Sequence, residues 1–470
     1  MLFNSATFVV FLLVALSLYW AVPSLIVRRA ILLVASLIFY GWWDYRFLAL
    51  IAYVTLVAYV AGLMIARFPA QGKRILASTV VLQLGQLAVF KYTNFALAAV
   101  ADLARLFGSQ LALPQPSILL PIGVSFYTFH GISYVVDLYR GKLTRPLGLS
   151  GIALYIVFFP QLVAGPIVRA DTFVPQMERP ARLDSRDLIV ALKLICIGLI
   201  CKGVFADRLS PLVDAIFAKP HKFDNATLTS AVFGFYSQIY FDFVGYSTMA
   251  IGISRLFGFK LSKNFDFPYR ATSITEFWRR WHISLSSWLR DYLYIPLGGS
   301  RHGKLKQYRN LLLTMLLGGL WHGASYNFAL WGAAHGVALA AHKLFRSLFP
   351  ELLLKGVARW LWLPLAWLLT QGFVLLCWVP FRAGSFEQTG TMLAGLFRLR
   401  PDAGLVGQTL PLLLLVIPLL VEHLLVQNPK LPRLPWPKRP LLVLAVLGVC
   451  FALVLPLLEM EVKQFIYFQF

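Results

Sequence analysis

Long apolar runs recur along almost the whole chain, and they limit what it can fold into. Of its 470 residues 59% are hydrophobic and only 13% are charged, and the mean hydropathy is +0.71. A soluble domain carries about twice that share of charged residues. We therefore expect an all-α polytopic membrane protein, because an α-helix satisfies its own backbone hydrogen bonds inside a lipid bilayer.

Several apolar runs are too short to cross a hydrocarbon core of ~30 Å, so we predict roughly nine to twelve transmembrane helices together with buried half-helices around a polar cavity. The run at residues 152–168 is broken by Pro160, Gly165 and Pro166 and predicts a re-entrant or kinked element. Six further apolar runs are each predicted as a separate element: 75–90, 92–107, 228–246, 251–257, 405–426 and 441–458.

The chain is strongly basic, with 43 Lys and Arg against 20 Asp and Glu. These cations lie in short loops between apolar runs, where they determine topology, and no basic domain stands apart for nucleic acid. Arg28 and Arg29 predict a cytoplasmic first loop and a periplasmic N-terminus, and the basic segment from Arg255 to Arg309 is also predicted to be cytoplasmic. No linker divides the chain, so we predict a single membrane domain over residues 1–470.

Bulky residues recur at helical spacing within this basic segment. The apolar face comprises Trp278, Trp281, His282, Leu285, Trp288 and Leu289. Arg279, Arg280, Ser287 and Arg290 take the other side. The pattern predicts one amphipathic helix lying on, or dipping into, the cytoplasmic interface.

His322 is the strongest candidate for chemistry. It follows an apolar run that starts at Arg309, and about thirteen helical residues place it roughly 20 Å from that basic loop. A core histidine and a catalytic or proton-relay histidine are equally compatible with this position. Gly318, Gly319 and Gly323 favour function, since they allow a backbone or a substrate to approach closely. The usual motifs for serine, zinc or P-loop chemistry are missing from the sequence, which leaves His322 the role of general base.

Basic side chains nearby are candidates for donor binding. Arg279, Arg280, Arg290 and Arg301 could clamp the phosphates of a nucleotide-like donor, but they serve equally as topology determinants and lipid head-group contacts. His282, on its own, reads more readily as an ordinary interface histidine.

Other polar residues in apolar runs are weaker candidates. Asp242 should line the cavity or pair with a buried cation, because lipid exposure would be costly. His130 is a further candidate for the cavity lining. His335 and His342 lie seven residues apart without a carboxylate, and the cysteines lack ligand spacing, so no metal is expected.

Four long motifs resemble the membrane-bound O-acyltransferases, in the branch that O-acetylates alginate and other exopolysaccharides and includes the D-alanyl transfer protein of teichoic acids. They are FWRRWHISLSSWLRDYLYI (277–295), RNLLLTMLLGGLWHGA (309–324), LPIGVSFY (120–127) and YFDFVGYS (240–247). The resemblance covers nearly the whole chain and implies a ring of helices around a central funnel. The near-invariant histidine of the family matches His322, and a second polar position matches His282. Thr248 stands where alginate-type relatives often carry an acidic residue, which leaves the polysaccharide open.

The resemblance also implies a reaction and its partners. Acetyl-CoA is the expected cytoplasmic donor substrate, with no resident cofactor, and Trp321 and the arginines are donor-site candidates. Asn327 is expected to line the cavity. A neutral His322 would act on an acceptor hydroxyl, so acidic pH should depress the rate. The implied partners are a periplasmic or membrane-anchored, serine-hydrolase-like acetyltransferase and a polysaccharide secretion complex at the bacterial inner membrane.

Two other functional classes remain open at this stage. A transporter or flippase also keeps polar residues in a membrane cavity, although such proteins commonly show internal repeats and this chain shows none. A scaffold of a secretion complex is the third class, and it predicts that His322 is replaceable.

Overall fold

The computed structural model describes residues 1–162, 165–349 and 357–398, together with 413–414, 448–449 and 466. All regular secondary structure in these residues is helical. The predicted runs at 405–426 and 441–458 lie almost entirely outside the described residues, as does Cys450.

The chain forms two compact units, of which the first comprises Met1–Ala191 and Ala250–Ser262. Its helices are α1 (Ala6–Ala21), α2 (Leu25–Gly41), α3 (Leu48–Arg67), α4 (Gly72–Leu106), α5 (Val124–Tyr139), α6 (Leu149–Val157), α7 (Phe159–Leu162) and α8 (Ala170–Met177). Helix α9 (Ser185–Leu199) carries the chain into the second unit at Leu192.

The second unit comprises Leu192–Met249 and Lys263–Phe470. Its helices are α10 (Asp207–Ala218), α11 (Asn225–Leu256, which ends in the first unit), α12 (Ile274–Arg280), α13 (Ile283–Leu289), α14 (Lys304–His322), α15 (Tyr326–Leu348), α16 (Val357–Arg382) and α17 (Phe386–Leu396). A π-helical turn, Ile200–Ala206, joins α9 to α10. Compactness alone does not make two domains, so one domain over residues 1–470 stays a prediction.

The structure confirms an all-α polytopic membrane protein. Among the described residues, four helical stretches are long and apolar enough to cross a bilayer: Tyr45–Arg67, Pro69–Leu106, Ser185–Ala218 and Trp360–Arg382. Helix α1 is apolar but shorter. The number of nine to twelve spans, and the ring around a funnel, stay predictions.

Two pairs of apolar runs that we counted separately are each one continuous helix. Helix α4 contains 75–90 and all but the last residue of 92–107, with Lys91 in its interior. Helix α11 contains 228–246 and all but the last residue of 251–257. A single Lys or a few small polar residues interrupt an apolar pattern, but they do not interrupt a helix, because their helix propensities are adequate.

The element at 152–168 is broken, as predicted. Helix α6 ends before Phe158, whose φ of −47° and ψ of 107° are not helical, and α7 starts at the next residue. Pro160 lacks the N–H group that a continued helix would need. The Phe159 N–H instead donates to Ser36 Oγ at 3.1 Å, and residues 158–162 are buried in protein. Irregular backbone in a membrane protein needs such internal partners.

Candidate active site

His322 is the last residue of α14, and close packing of α14 against α15 fixes its position. Glycines make this possible: a Cβ on Gly336 would lie 2.8 Å from Leu312 Cα, and one on Gly332 would lie 3.0 Å from Leu316 Cα. Such backbone contact between helices is typical of membrane proteins.

Three aromatic rings surround the His322 imidazole, which is only 6% exposed. Its ring centroid lies 4.9 Å from that of Trp321, 5.1 Å from Trp331 and 5.3 Å from Phe381, all in steeply inclined arrangements. Edge-to-face contacts of this kind hold a ring in one orientation and exclude water. The side chain is therefore buried and oriented, as a general base must be.

The predicted amphipathic helix is wrong in one respect, because it is two helices, α12 and α13, with a break at Trp281 and His282. The backbone there bonds to the segment before α12: Asp266 N–H donates to Arg280 O at 2.9 Å, and Ile283 N–H donates to Asn264 O at 2.8 Å. The predicted apolar face is confirmed, since all of its six side chains are buried: Trp278, Trp281, His282, Leu285, Trp288 and Leu289.

His282 lies fully buried in this break. Its ring meets Phe243 edge-on at 4.6 Å and Trp321 at 6.3 Å between centroids. Asn264 Oδ1 lies 3.1 Å from its Nδ1 atom. Trp321 also contacts His322. The structure therefore brings His282, Trp321 and His322 into one aromatic cluster, although His282 and His322 are forty positions apart in the sequence.

The candidate arginines bind neighbouring carboxylates or face outward. Arg280 forms an ion pair with Glu276 at 2.8 Å, and Arg290 pairs with Asp291 at 2.6 Å. Arg279 is exposed. Arg301 is exposed as well. Two of the four arginines would have to exchange a carboxylate for a donor phosphate, so the donor-binding role of this group stays a prediction.

Asp242 pairs with a buried cation, which is one of the two alternatives predicted for it. Lys202 Nζ lies 2.5 Å from Asp242 Oδ1 and 2.7 Å from Asp207 Oδ1, and all three side chains are at least 95% buried. The Ile466 N–H also donates to Asp242 Oδ2 at 2.8 Å. Lys202, in the π-helical turn that follows α9, was not among the predicted site residues, although a Lys within a long apolar run is a usable signal.

Asn327 uses both ends of its amide inside the protein. Its Nδ2 donates to Ala383 O at 2.8 Å, and its Oδ1 accepts from Thr389 Oγ1 at 3.0 Å. The side chain thus ties α15 to α17 and to the residue that directly follows α16. Lining of a cavity by Asn327 stays a prediction.

His335 and His342 each have a hydrogen-bond partner of their own. His335 Nδ1 accepts from Trp278 Nε1 at 3.3 Å, and His342 Nδ1 lies 2.8 Å from Thr275 Oγ1. His130 is buried in α5 of the first unit. Across the described ranges, no group of three His, Cys, Asp or Glu side chains could hold a metal ion.

Comparison with known proteins identifies the family. Residues 37–372 match the model of the membrane-bound O-acyltransferase family. The chain is 41% identical over 402 residues to "Probable alginate O-acetylase AlgI" of Azotobacter vinelandii, covering 84% of this chain and 78% of that protein. The protein of the same name from Pseudomonas aeruginosa is 41% identical over 404 residues, covering 84% and 75%. "Peptidoglycan O-acetyltransferase" of Helicobacter pylori is 36% identical over 402 residues, covering 78% and 73%. The chain therefore belongs to the membrane-bound O-acyltransferase family and is an acyltransferase.

Proposed function

We propose that this protein takes acetyl groups from cytoplasmic acetyl-CoA and passes them across the inner membrane for the O-acetylation of a secreted polysaccharide, alginate or a cellulose-like glycan. The similarity to relatives named as alginate O-acetylases carries this proposal. A relative named as a peptidoglycan O-acetyltransferase supports a glycan other than alginate as an alternative acceptor.

His322 is the general base of the reaction. It takes the proton of the acceptor hydroxyl, whose oxygen attacks the thioester carbonyl carbon of the donor. The carbon–sulfur bond then breaks, and the thiolate of coenzyme A leaves and is protonated. Burial among Trp321, Trp331 and Phe381 supports this role, because a proton transfer needs a base held in place and shielded from water.

The acceptor is either the sugar hydroxyl itself or a serine of a partner. In the second case the partner is a serine-hydrolase-like acetyltransferase in the periplasm or anchored to the membrane, within a polysaccharide secretion complex. The donor phosphates are bound on the cytoplasmic side, where Arg279 and Arg301 are exposed candidates.

The test is the acetyl content of secreted polysaccharide, measured by proton NMR in cells that lack this protein. The cells are complemented with wild type, His322→Ala or His322→Gln. His302→Ala is the matched control, since it removes an exposed histidine outside the site. Immunoblotting of membranes must show equal protein, because a buried substitution can also destabilise the fold.

Loss of acetyl with normal polymer yield in both His322 variants, and full acetylation in His302→Ala, is the expected result. Full acetylation by His322→Gln would contradict the catalytic role proposed for His322. Lost polymer export would point instead to a transporter or a scaffold.

A further inference from the structure

Asn264 lies in the segment between α11 and α12, and its side chain is buried against the break between α12 and α13. Its Oδ1 faces three groups: Ser284 N–H at 3.2 Å, Ser284 Oγ at 2.9 Å and His282 Nδ1 at 3.1 Å. Its Nδ2 donates to Ser247 Oγ at 3.1 Å. The Asn264 amide therefore contacts two residues at the start of α13, His282 and Ser284, and also Ser247 in α11.

These contacts determine the tautomer of His282. A backbone N–H can only donate, so the Asn264 atom that faces Ser284 N–H must be the oxygen. The same oxygen faces His282 Nδ1, which must then carry a proton to form a hydrogen bond. In a neutral imidazole only one nitrogen is protonated, so Nε2 is left as an acceptor.

His282 Nε2 is buried and has no hydrogen-bond partner within the described part of the chain. Buried polar atoms of proteins are nearly always paired, and each exception calls for an explanation. His282 also contacts Trp321, which contacts His322. A buried acceptor beside the proposed base is explained if a substrate donates to it.

The backbone of His282 is constrained as well. Its φ of 42° and ψ of 56° lie in the left-handed region, which few residues other than glycine adopt. The Ile283 N–H bond to Asn264 O, at 2.8 Å, holds this conformation from the following residue. Strained backbone persists only where the surroundings enforce it, and it clusters at functional sites.

We propose that Asn264 is a positioning residue of the acyl-transfer site: it holds His282 with the proton on Nδ1, so that Nε2 accepts a hydrogen bond from a substrate N–H or O–H other than the hydroxyl whose proton His322 takes. This inference rests on the proposed function. It adds a residue that acts through His282 and does not itself touch the substrate.

Histidine side-chain NMR tests the tautomer directly. The full chain, labelled with ¹³C and ¹⁵N histidine, is measured in lipid bilayers, and the His282 signal is identified by its loss in His282→Gln. We expect the Nδ1-protonated form in wild type and in Asn264→Asp, whose carboxylate still accepts, but not in Asn264→Leu. A wild-type signal with the proton on Nε2 would overturn the proposal. This readout needs no activity, so its failure is distinguishable from failure of the proposed function.

Transfer rates separate positioning from simple structural support. Membrane vesicles are given radiolabelled acetyl-CoA, and labelled polysaccharide is measured at equal protein levels. We expect Asn264→Leu to lose about 100-fold in rate, while Asn264→Asp stays close to wild type. Ser284→Ala is the matched control, because it removes one donor to Asn264 and leaves the other two.

A double-variant cycle completes the test. If Asn264 acts through His282, then Asn264→Leu causes no further loss in a His282→Gln background. A second loss of about 100-fold in that background would assign Asn264 to structure alone. Should Asn264→Leu fail to fold, the spectra of wild type and Asn264→Asp decide the question.

Discussion

At the scale of single residues, the buried ion cluster of Lys202, Asp207 and Asp242 in the second unit is costly to form. Removing charges from water is expensive, and only close, mutually compensating contacts offset that cost. Lys202 meets both carboxylates within 2.7 Å. Without the lysine, two carboxylates would remain buried near one another.

We therefore predict that Lys202→Ala lowers the free energy of unfolding by ~3–5 kcal/mol, as is typical when one partner of a buried ion pair is removed. Arg290→Ala, which breaks an exposed pair with Asp291, should cost less than about 1 kcal/mol. Unfolding of the purified protein in mixed micelles by added SDS measures both. Equal effects would mean that the cluster does not stabilise the fold.

How far the sequence predicts such sites depends on whether a residue breaks a local pattern. Asp242 and His322 stand out because an ionisable side chain in an apolar run needs a special reason. Asn264 does not stand out, since a polar residue in a polar loop is ordinary. Its contacts with His282 and Ser284 arise only when two segments about twenty residues apart are packed together.

At the scale of elements, the packing of α14 against α15 positions His322. Gly332→Ala would place a methyl group against Met315 O and Leu316 Cα. We predict a loss of ~1–3 kcal/mol in stability, as for overpacked cores, with reduced acetylation. Gly372→Ala in α16 is the matched control, because its Cβ would meet nothing within 4 Å. The control should be neutral or slightly stabilising, since Ala is the better helix former. Thermal unfolding in detergent compares the two, and a harmless Gly332→Ala would contradict the close helix contact.

Helix α12 provides a prediction on pH. Burial alone would raise the pKa of Glu276, but hydrogen bonds from Thr272 and Arg280 outweigh burial and lower the pKa below its ordinary value of 4.5. A lowered pKa in the folded state means that the ionised Glu276 stabilises the fold above pH 4.5, and that this contribution is lost as the pH falls through the lower folded pKa.

Unfolding midpoints of wild type and Glu276→Gln should therefore differ most near neutral pH and converge in acid. Glu387→Gln, in the corresponding first turn of α17, is the control, since that glutamate is exposed. A wild-type advantage that stays constant down to acidic pH would show that the interaction does not depend on charge.

The same elements show what periodicity cannot reveal. The helical spacing from Trp278 to Leu289 correctly predicts the buried face, because both short helices keep that face inward. It does not predict the break at His282, since the hydrogen bonds that compete with the helix come from residues 264–266. Tertiary contacts of this kind override local preference.

At the scale of the whole molecule, the orientation in the membrane is predicted from two basic segments, and the fold brings them into contact. Trp20 Nε1 and Tyr19 OH, at the end of α1, donate to the carbonyl oxygens of Leu256 and Phe257, each at 3.1 Å. The first loop is predicted to be cytoplasmic from Arg28 and Arg29, which the structure places at the start of α2, and the segment from Arg255 from a separate group of cations. The two segments, each predicted independently to be cytoplasmic, thus lie together at one end of the first unit. Their contact supports a cytoplasmic position for both.

Cysteine labelling from either side of the membrane tests this orientation. Arg28 also donates to Ala181 O at 3.2 Å, so the exposed neighbour Arg182 should lie on the cytoplasmic side. Counting α2, α3 and α4 as three crossings places the exposed Ser109 in the periplasm. Each position is changed to cysteine in a background without the four native cysteines and is treated with a membrane-impermeant maleimide.

We expect Ser109→Cys to react in intact cells and Arg182→Cys to react only after the inner membrane is permeabilised. Each variant serves as the control for the other, because both sites are exposed and differ in the side of the membrane that they face. The reverse labelling pattern would mean that the protein has the opposite orientation in the membrane. His322 would then lie at the end of a helix that starts in the periplasm, and a cytoplasmic thioester donor would have to reach it from the opposite side.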